Sequence, residues 1–87
     1  DKERTWLYGQ LERLGISYIK SCANYILIHV PMVGNLYDKL LKHKIMIRRC
    51  ENYVNLDESY YRIAVNDHDK NERLISALEK IIKGDLV

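Results

Sequence analysis

Phenylalanine is absent from the 87 residues, and proline and tryptophan occur once each. An RNA-recognition sheet stacks bases on strand aromatics of a Gly-Phe-x-Phe type run, and the candidate strands Lys44–Cys50 and Tyr60–Val65 carry none. Cysteine is limited to Cys22 and Cys50, far apart and without CxxC spacing. A secreted domain of this size would carry several disulfide staples, so a reducing cytoplasm is the expected setting. The four glycines stand alone at 9, 15, 34 and 84, which excludes a glycine-rich phosphate loop. His29, His43 and His68 fall in separate elements, whereas zinc needs three or four ligands at motif spacing, so no metal is expected. The longest apolar run, Tyr25–Ile28, is four residues against the roughly 20 a spanning helix needs. There is no signal-peptide or twin-arginine pattern. Fourteen Lys and Arg against twelve Asp and Glu leave a net charge of +2, too slight to call for a polyanion partner.

What is present is an ordinary globular composition, 47% hydrophobic and 30% charged. A chain of this length forms one domain, residues 1–87, and buries about 60–65% of the surface that its unfolded form exposes. Asp1 opens straight into a helical pattern, which reads as a piece of something longer. Leu7, Leu11 and Leu14 give Asp1–Leu14 helical spacing, with Gly15 placed to end it. Ile16–Lys20 is a short β-branched segment. Ala23–Val30 reads as a strand buried on both faces, ended by Pro31, which cannot donate a ladder hydrogen bond. Gly34–His43 places Leu36, Tyr37, Leu40 and Leu41 on one helical face. Lys44–Cys50 and Tyr60–Val65 read as strands on either side of a polar loop, Glu51–Ser59. Asp67 is an N-cap for a last helix with the stripe Leu74, Ile75, Leu78, Ile81 and Ile82, ended by Gly84. The order α-β-β-α-β-β-α predicts an α+β two-layer fold, with a small mixed or antiparallel sheet and helices on one face.

Strand parity makes two arginines informative. With Ile45, Ile47, Ile63 and Val65 under the helices, Arg48 and Arg62 point to the opposite face, near Tyr53 and Tyr60. The planar fork of arginine binds a carboxylate or phosphate through two parallel hydrogen bonds, so the pair fits an anion site. Alternation alone fits two solvated arginines on an open face as well. Cys22 and Cys50 lack a visible activating partner and read as small buried hydrophobes.

Several blocks occur together in order: Cys22-Ala23-Asn24-Tyr25, then Ile45-Met46-Ile47-Arg48-Arg49-Cys50-Glu51-Asn52-Tyr53, Leu56-Asp57, Tyr61-Arg62-Ile63-Ala64-Val65, and Lys70-Asn71-Glu72-Arg73-Leu74. From Arg4 to Lys83 the chain resembles the C-terminal small domain of a fold-type I pyridoxal-phosphate enzyme of the class I/II aminotransferase superfamily. Arg48-x-Cys50-x-Asn52 and Arg62-Ile63-Ala64-Val65 are most similar to the threonine-phosphate decarboxylase branch, with histidinol-phosphate aminotransferase next. Arg49, Glu51, Asn55 and Asn66 depart from the decarboxylase pattern, which has Asp, Ser, Gly and often Arg there.

The resemblance implies that Arg62 grips the substrate α-carboxylate and that Arg48 helps hold a substrate phosphate; for Asn24 a place at the edge of the site and a purely structural role are the two readings. It implies scaffolding roles for Cys50 and Asn52 in the loop that presents Arg48. The cofactor, pyridoxal 5'-phosphate, its lysine and its aspartate would all belong to a large domain outside these 87 residues. This chain would therefore hold no catalytic or cofactor-binding residue and would not be an enzyme alone. Its expected partners are a phosphorylated amino-acid substrate and the large domain of the same chain, in a homodimeric, cytoplasmic parent without nucleic acid or membrane. For the decarboxylase branch, the product serves cobalamin biosynthesis. An aminotransferase for histidinol phosphate, or a free-standing α/β interaction or ligand-sensing module, is the alternative.

Overall fold

The computed structural model describes residues 2–20, 24–50 and 59–85. They form α1 (Lys2–Arg13), β1 (Ser17–Ile19), β2 (Tyr25–His29), α2 (Leu36–Lys42), β3 (Arg48–Arg49), β4 (Tyr60–Ala64) and α3 (His68–Asp85). The strands make one sheet in the order β1-β2-β4-β3 with every neighbouring pair antiparallel. Three helices and a four-stranded antiparallel sheet in this order make the α+β fold that the sequence predicts.

Alternation decides which side of the sheet is covered. Ile26 and Ile28 of β2 and Tyr61 and Ile63 of β4 are buried beneath the helices, with Leu7 and Leu11 of α1 and Leu74, Ile75 and Leu78 of α3. Tyr25, Leu27 and His29 are only half-buried, so β2 is not covered on both faces. Its unbroken apolar run comes from one core face and one face that is apolar without being covered. Ile47 is buried and Ile45 and Val65 are half-buried against the same core.

Helix ends follow local backbone chemistry. Gly15 adopts φ 75°, its N–H donates to the Glu12 carbonyl at 3.1 Å, and the Ile16 N–H donates to the Leu11 carbonyl at 2.9 Å. This double closure is a Schellman motif, sealed by the buried pair Leu11 and Ile16. The same motif closes α2 with Lys44 in the left-handed position, φ 62°: Lys44 N–H donates to Leu41 and Ile45 N–H to Leu40, at 2.8 and 3.0 Å. The predicted strand Lys44–Cys50 is therefore shortened to Arg48–Arg49, because its first residues complete the helix cap. Asp67 caps α3 by accepting the Lys70 N–H at 3.0 Å. Gly84 does not end that helix, which runs through Asp85; among the described glycines only Gly15 takes a positive φ. Among the described residues no helix is long and apolar enough to cross a membrane.

Candidate functional site

The uncovered face of the sheet collects Ser17 and Ile19 of β1, Tyr25, Leu27 and His29 of β2, Tyr60, Arg62 and Ala64 of β4, and Arg48 of β3. Register places these side chains. Arg62 lies opposite Leu27 on one side and opposite Arg48 on the other. Cross-strand partners in an antiparallel pair project to the same face, so the two arginines stand side by side. Like charges directly opposite one another oppose sheet formation. No Asp or Glu is among the described residues of this face.

The two guanidinium groups are held differently. Arg62 is half-buried, with Cζ 4.8 Å from the centre of the Tyr25 ring. Arg48 is exposed. Arg49 alternates to the helix side, where its guanidinium lies 4.3 Å over the Tyr37 ring and 3.8 Å from Asp38. Parity thus separates the adjacent arginines, and Arg49 stays off the face that Arg48 joins. His29 and Tyr60, a direct cross-strand pair, stack with centroids 4.1 Å apart and extend the face away from the arginines.

Cys50 is fully buried beside this ladder, and its N–H donates to the Tyr60 carbonyl at 3.3 Å. Burial pushes its thiol pKa up while the Arg62 charge pulls the other way. A neutral buried thiol fills space and is not a nucleophile at ordinary pH. Asn24 is exposed at the end of β2, and its carbonyl accepts the Val65 N–H at 3.0 Å. Cys22, Asn52 and Tyr53 lie outside the described residues. No described residue of the arginine face is a lysine, and among the described residues no cluster of His, Cys, Asp or Glu could hold a metal ion.

Two features of the structure are not legible from strand alternation alone. Tyr25 was visible as a strand position, and its partnership with Arg62 follows only from register. Asn71 is the other: it occupies the stripe continued by Leu74, Ile75 and Leu78, and it is 1% exposed. Its side chain accepts the Asn66 N–H at 3.0 Å and donates to the Asn66 carbonyl at 2.8 Å and to Glu3 at 3.0 Å. A polar residue on an otherwise apolar stripe was the available signal. A separate hollow between α3 and the chain entering β3 is lined in part by Lys44, Ile45, Lys70 and Arg73, and neither Arg48 nor Arg62 lines it.

Comparison with known proteins extends this picture. Residues 1–78 match the family described as aminotransferase class I and II. The chain is 37% identical over 87 residues to a histidinol-phosphate aminotransferase of Methanosphaera stadtmanae, covering 94% of this chain and 24% of the relative. It is 41% identical over 63 residues to a threonine-phosphate decarboxylase of Salmonella typhimurium, covering 71% of this chain and 17% of that protein. The crystal structure of histidinol-phosphate aminotransferase from Clostridium acetobutylicum superposes with a TM-score of 0.88 at 36% identity, over 95% of this chain and 26% of that one. The chain thus spans about a quarter or less of the length of these relatives.

Proposed function

Because the chain belongs to the aminotransferase class I and II family, whose members use pyridoxal phosphate, we propose that it is the C-terminal small domain of such an enzyme. Its task in that reading is to hold an anionic, phosphorylated amine substrate through Arg48 and Arg62. One observation carries this: two arginines directly opposite each other on an open sheet face without a described carboxylate. An anion that joins the two charges relieves the repulsion between them.

The face is suited to substrate rather than to the cofactor's covalent seat, since its described residues include no lysine. When bound elsewhere in the parent, pyridoxal phosphate supplies an electron sink for whichever bond to the substrate Cα stands perpendicular to its ring. The arginines would select that bond by orientation. Where the substrate carries both a carboxylate and a phosphate, as O-phosphothreonine does, two anionic groups gripped at fixed points leave it little freedom to rotate about its own axis. Histidinol phosphate brings only the phosphate, and the carboxylate is then that of the keto acid. In this division Arg62, beside Tyr25, takes a carboxylate, and the exposed Arg48 takes the phosphate. Asn24 stays at the rim.

For the substrate, the comparisons favour histidinol phosphate over threonine phosphate, reversing the order that the Arg48-x-Cys50-x-Asn52 pattern suggests. The aminotransferase match spans 94% of the chain and the decarboxylase match 71%. The decarboxylase remains the second reading on the strength of 41% identity within its narrower span. The test uses the full-length protein. Amino transfer from histidinol phosphate to a keto acid is the expected activity, and carbon dioxide release from O-phosphothreonine would establish the second reading instead. In either case Arg48→Ala should weaken the phosphorylated substrate roughly 10- to 150-fold, the range expected for charge-assisted hydrogen bonds. Equal weakening of the unphosphorylated analogue would overturn the phosphate assignment.

A further inference from the structure

A hollow of about 220 Å³ opens between α3 and the chain entering β3, on the helix side of the sheet. Ile45, Ile47, Ile63 and Leu74 wall it, and all but Ile45 are fully part of the buried core. Lys44, Lys70 and Arg73 stand at its rim, all exposed, and no described lining residue is an Asp or Glu. The closure of α2 builds this edge. Lys44 takes the left-handed position and the Ile45 N–H returns to Leu40, which turns Ile45 toward the core and leaves Lys44 outside. Met46 lines the same hollow at 74% exposure, an adaptable apolar wall. Asn71 also reaches it, but that amide is already engaged by Asn66 and Glu3.

Charge on α3 is segregated. Lys70, Arg73 and Lys80 share one side of the helix, and Asp69, Glu72 and Glu79 share the next. Glu79 pairs with Arg13 and Lys83, and Glu72 with His68. Lys44, Lys70 and Arg73 enter no ion pair among the described residues. A second hollow shares Ile45 and Arg73 with the first and adds His43 and Lys80, so the positive rim continues along the helix. We infer that the first hollow binds a small organic anion with a branched apolar body. The body lies between Ile45, Ile63 and Leu74, and its carboxylate meets Lys70 and Arg73 at the rim. At about 30 Å³ per water the space is worth about seven waters, which suits a body of a few carbons and not a cofactor-sized molecule. The body leaves water for an apolar wall while the charge stays at the solvent edge, so each half adds to binding. The site is separate from the Arg48 and Arg62 face and does not depend on the function proposed for it.

The test titrates the full-length protein with 4-methylpentanoate and follows its isoleucine methyl NMR signals. Those of Ile45, Ile47 and Ile63 should shift together with one dissociation constant. Inorganic phosphate, which keeps only charge, and 4-methylpentanamide, which keeps only the body, should both bind more weakly. Replacing both rim cations, Lys70→Gln with Arg73→Gln, changes two exposed positions and should weaken 4-methylpentanoate about 2- to 30-fold, the size of two exposed charge contacts. Lys83→Gln removes a charge from the same helix outside the hollow and should leave the constant unchanged. Arg48→Ala should leave it unchanged as well, which separates this site from the uncovered face. If those three methyl signals do not move, or if the amide binds as tightly as the acid, the proposal is overturned. It falls equally if Lys83→Gln weakens binding as much as the double variant, or if Arg48→Ala abolishes the shifts.

Discussion

His68 Nδ1 lies 3.1 Å from both carboxylate oxygens of Glu3, joining the first turn of α3 to the first turn of α1. The Trp6 ring meets the imidazole edge to face at 4.8 Å, and Asn71 donates to the same Glu3 carboxylate at 3.0 Å. Glu72 reaches the other imidazole nitrogen at 3.5 Å. Sixty-five residues separate the two ends of this junction in sequence. It is the polar counterpart of the apolar packing between α1 and α3.

The junction predicts a pH window. The hydrogen bond to Glu3 raises the His68 pKa above 6.5, with the charges of Glu3, Glu72 and Asp69 adding to it and burial opposing. A raised histidine contributes stability in full below its unfolded pKa and loses it as pH rises through the folded one. Hydrogen bonds from Asn71 and then His68 lower the Glu3 pKa, while burial and Asp67 oppose. That contribution is present above the unfolded carboxylate pKa and is lost as pH falls through the folded one. Both are complete only between the ordinary carboxylate and imidazole ranges. Thermal unfolding between about pH 5 and 8.5 should show stability falling on the alkaline side. His68→Gln should flatten that limb; an unchanged slope would remove His68 from the account.

Asn71 gives a second prediction. Its three hydrogen bonds satisfy a buried amide and hold Asn66 at the entry to α3. Asn71→Ala should cost about 1–3 kcal/mol, the penalty for buried groups left without partners. Urea midpoints at unchanged slope would show it. The same variant should let the Glu3 pKa rise toward its ordinary value, since Asn71 is the largest cause of its lowering. A Glu3 titration unmoved by the substitution would contradict this.

Helix termini show how far the fold was legible and where legibility stopped. The ends of α1 and α2 use one motif, yet only the first advertises it, through Gly15. At α2 the left-handed position carries Lys44, so strand periodicity was the stronger signal and ran one cap too far. Gly84 errs in the opposite sense, a glycine at the expected place without the left-handed turn. Parity placed Arg48 and Arg62 on one face because a period of two is robust even in short strands. It carried no information on Tyr25, whose nearness to Arg62 depends on which strands are neighbours. The order β1-β2-β4-β3 is a tertiary fact.

The paired caps supply a third prediction. A Cβ at Gly15 meets nothing within 4 Å, so Gly15→Ala should destabilise through backbone conformation alone, by about 1–2 kcal/mol. At position 44 the comparison is between two variants that both remove the charge. Lys44→Gly should be more stable than Lys44→Ala by about 1 kcal/mol, because only alanine retains the left-handed penalty. Chemical denaturation of the two variants side by side decides it. Equal stabilities would mean that the turn relaxes out of the left-handed region when Lys44 is replaced.

The last prediction follows from the Arg48 and Arg62 register. Two like charges directly opposite in an antiparallel pair are destabilising. Removing one of them should therefore stabilise the chain without ligand. Arg48→Gln keeps a long polar side chain on β3 and deletes the repulsion, so at low salt its unfolding midpoint should exceed that of the unaltered chain. Because Arg48 is exposed, salt screens the interaction, and the gain should shrink as ionic strength rises toward 1 M, where the screening length is about 3 Å. Phosphate should behave differently from chloride at matched ionic strength. In the unaltered chain an anion that joins both arginines adds stability by binding the folded state alone, and Arg48→Gln removes most of that addition. A folded domain that becomes more stable and binds phosphate less well after the same substitution is the signature of a charge pair kept for its ligand. If Arg48→Gln destabilises the chain at low salt, the arginines do not repel across the strands, and the anion site loses its physical basis.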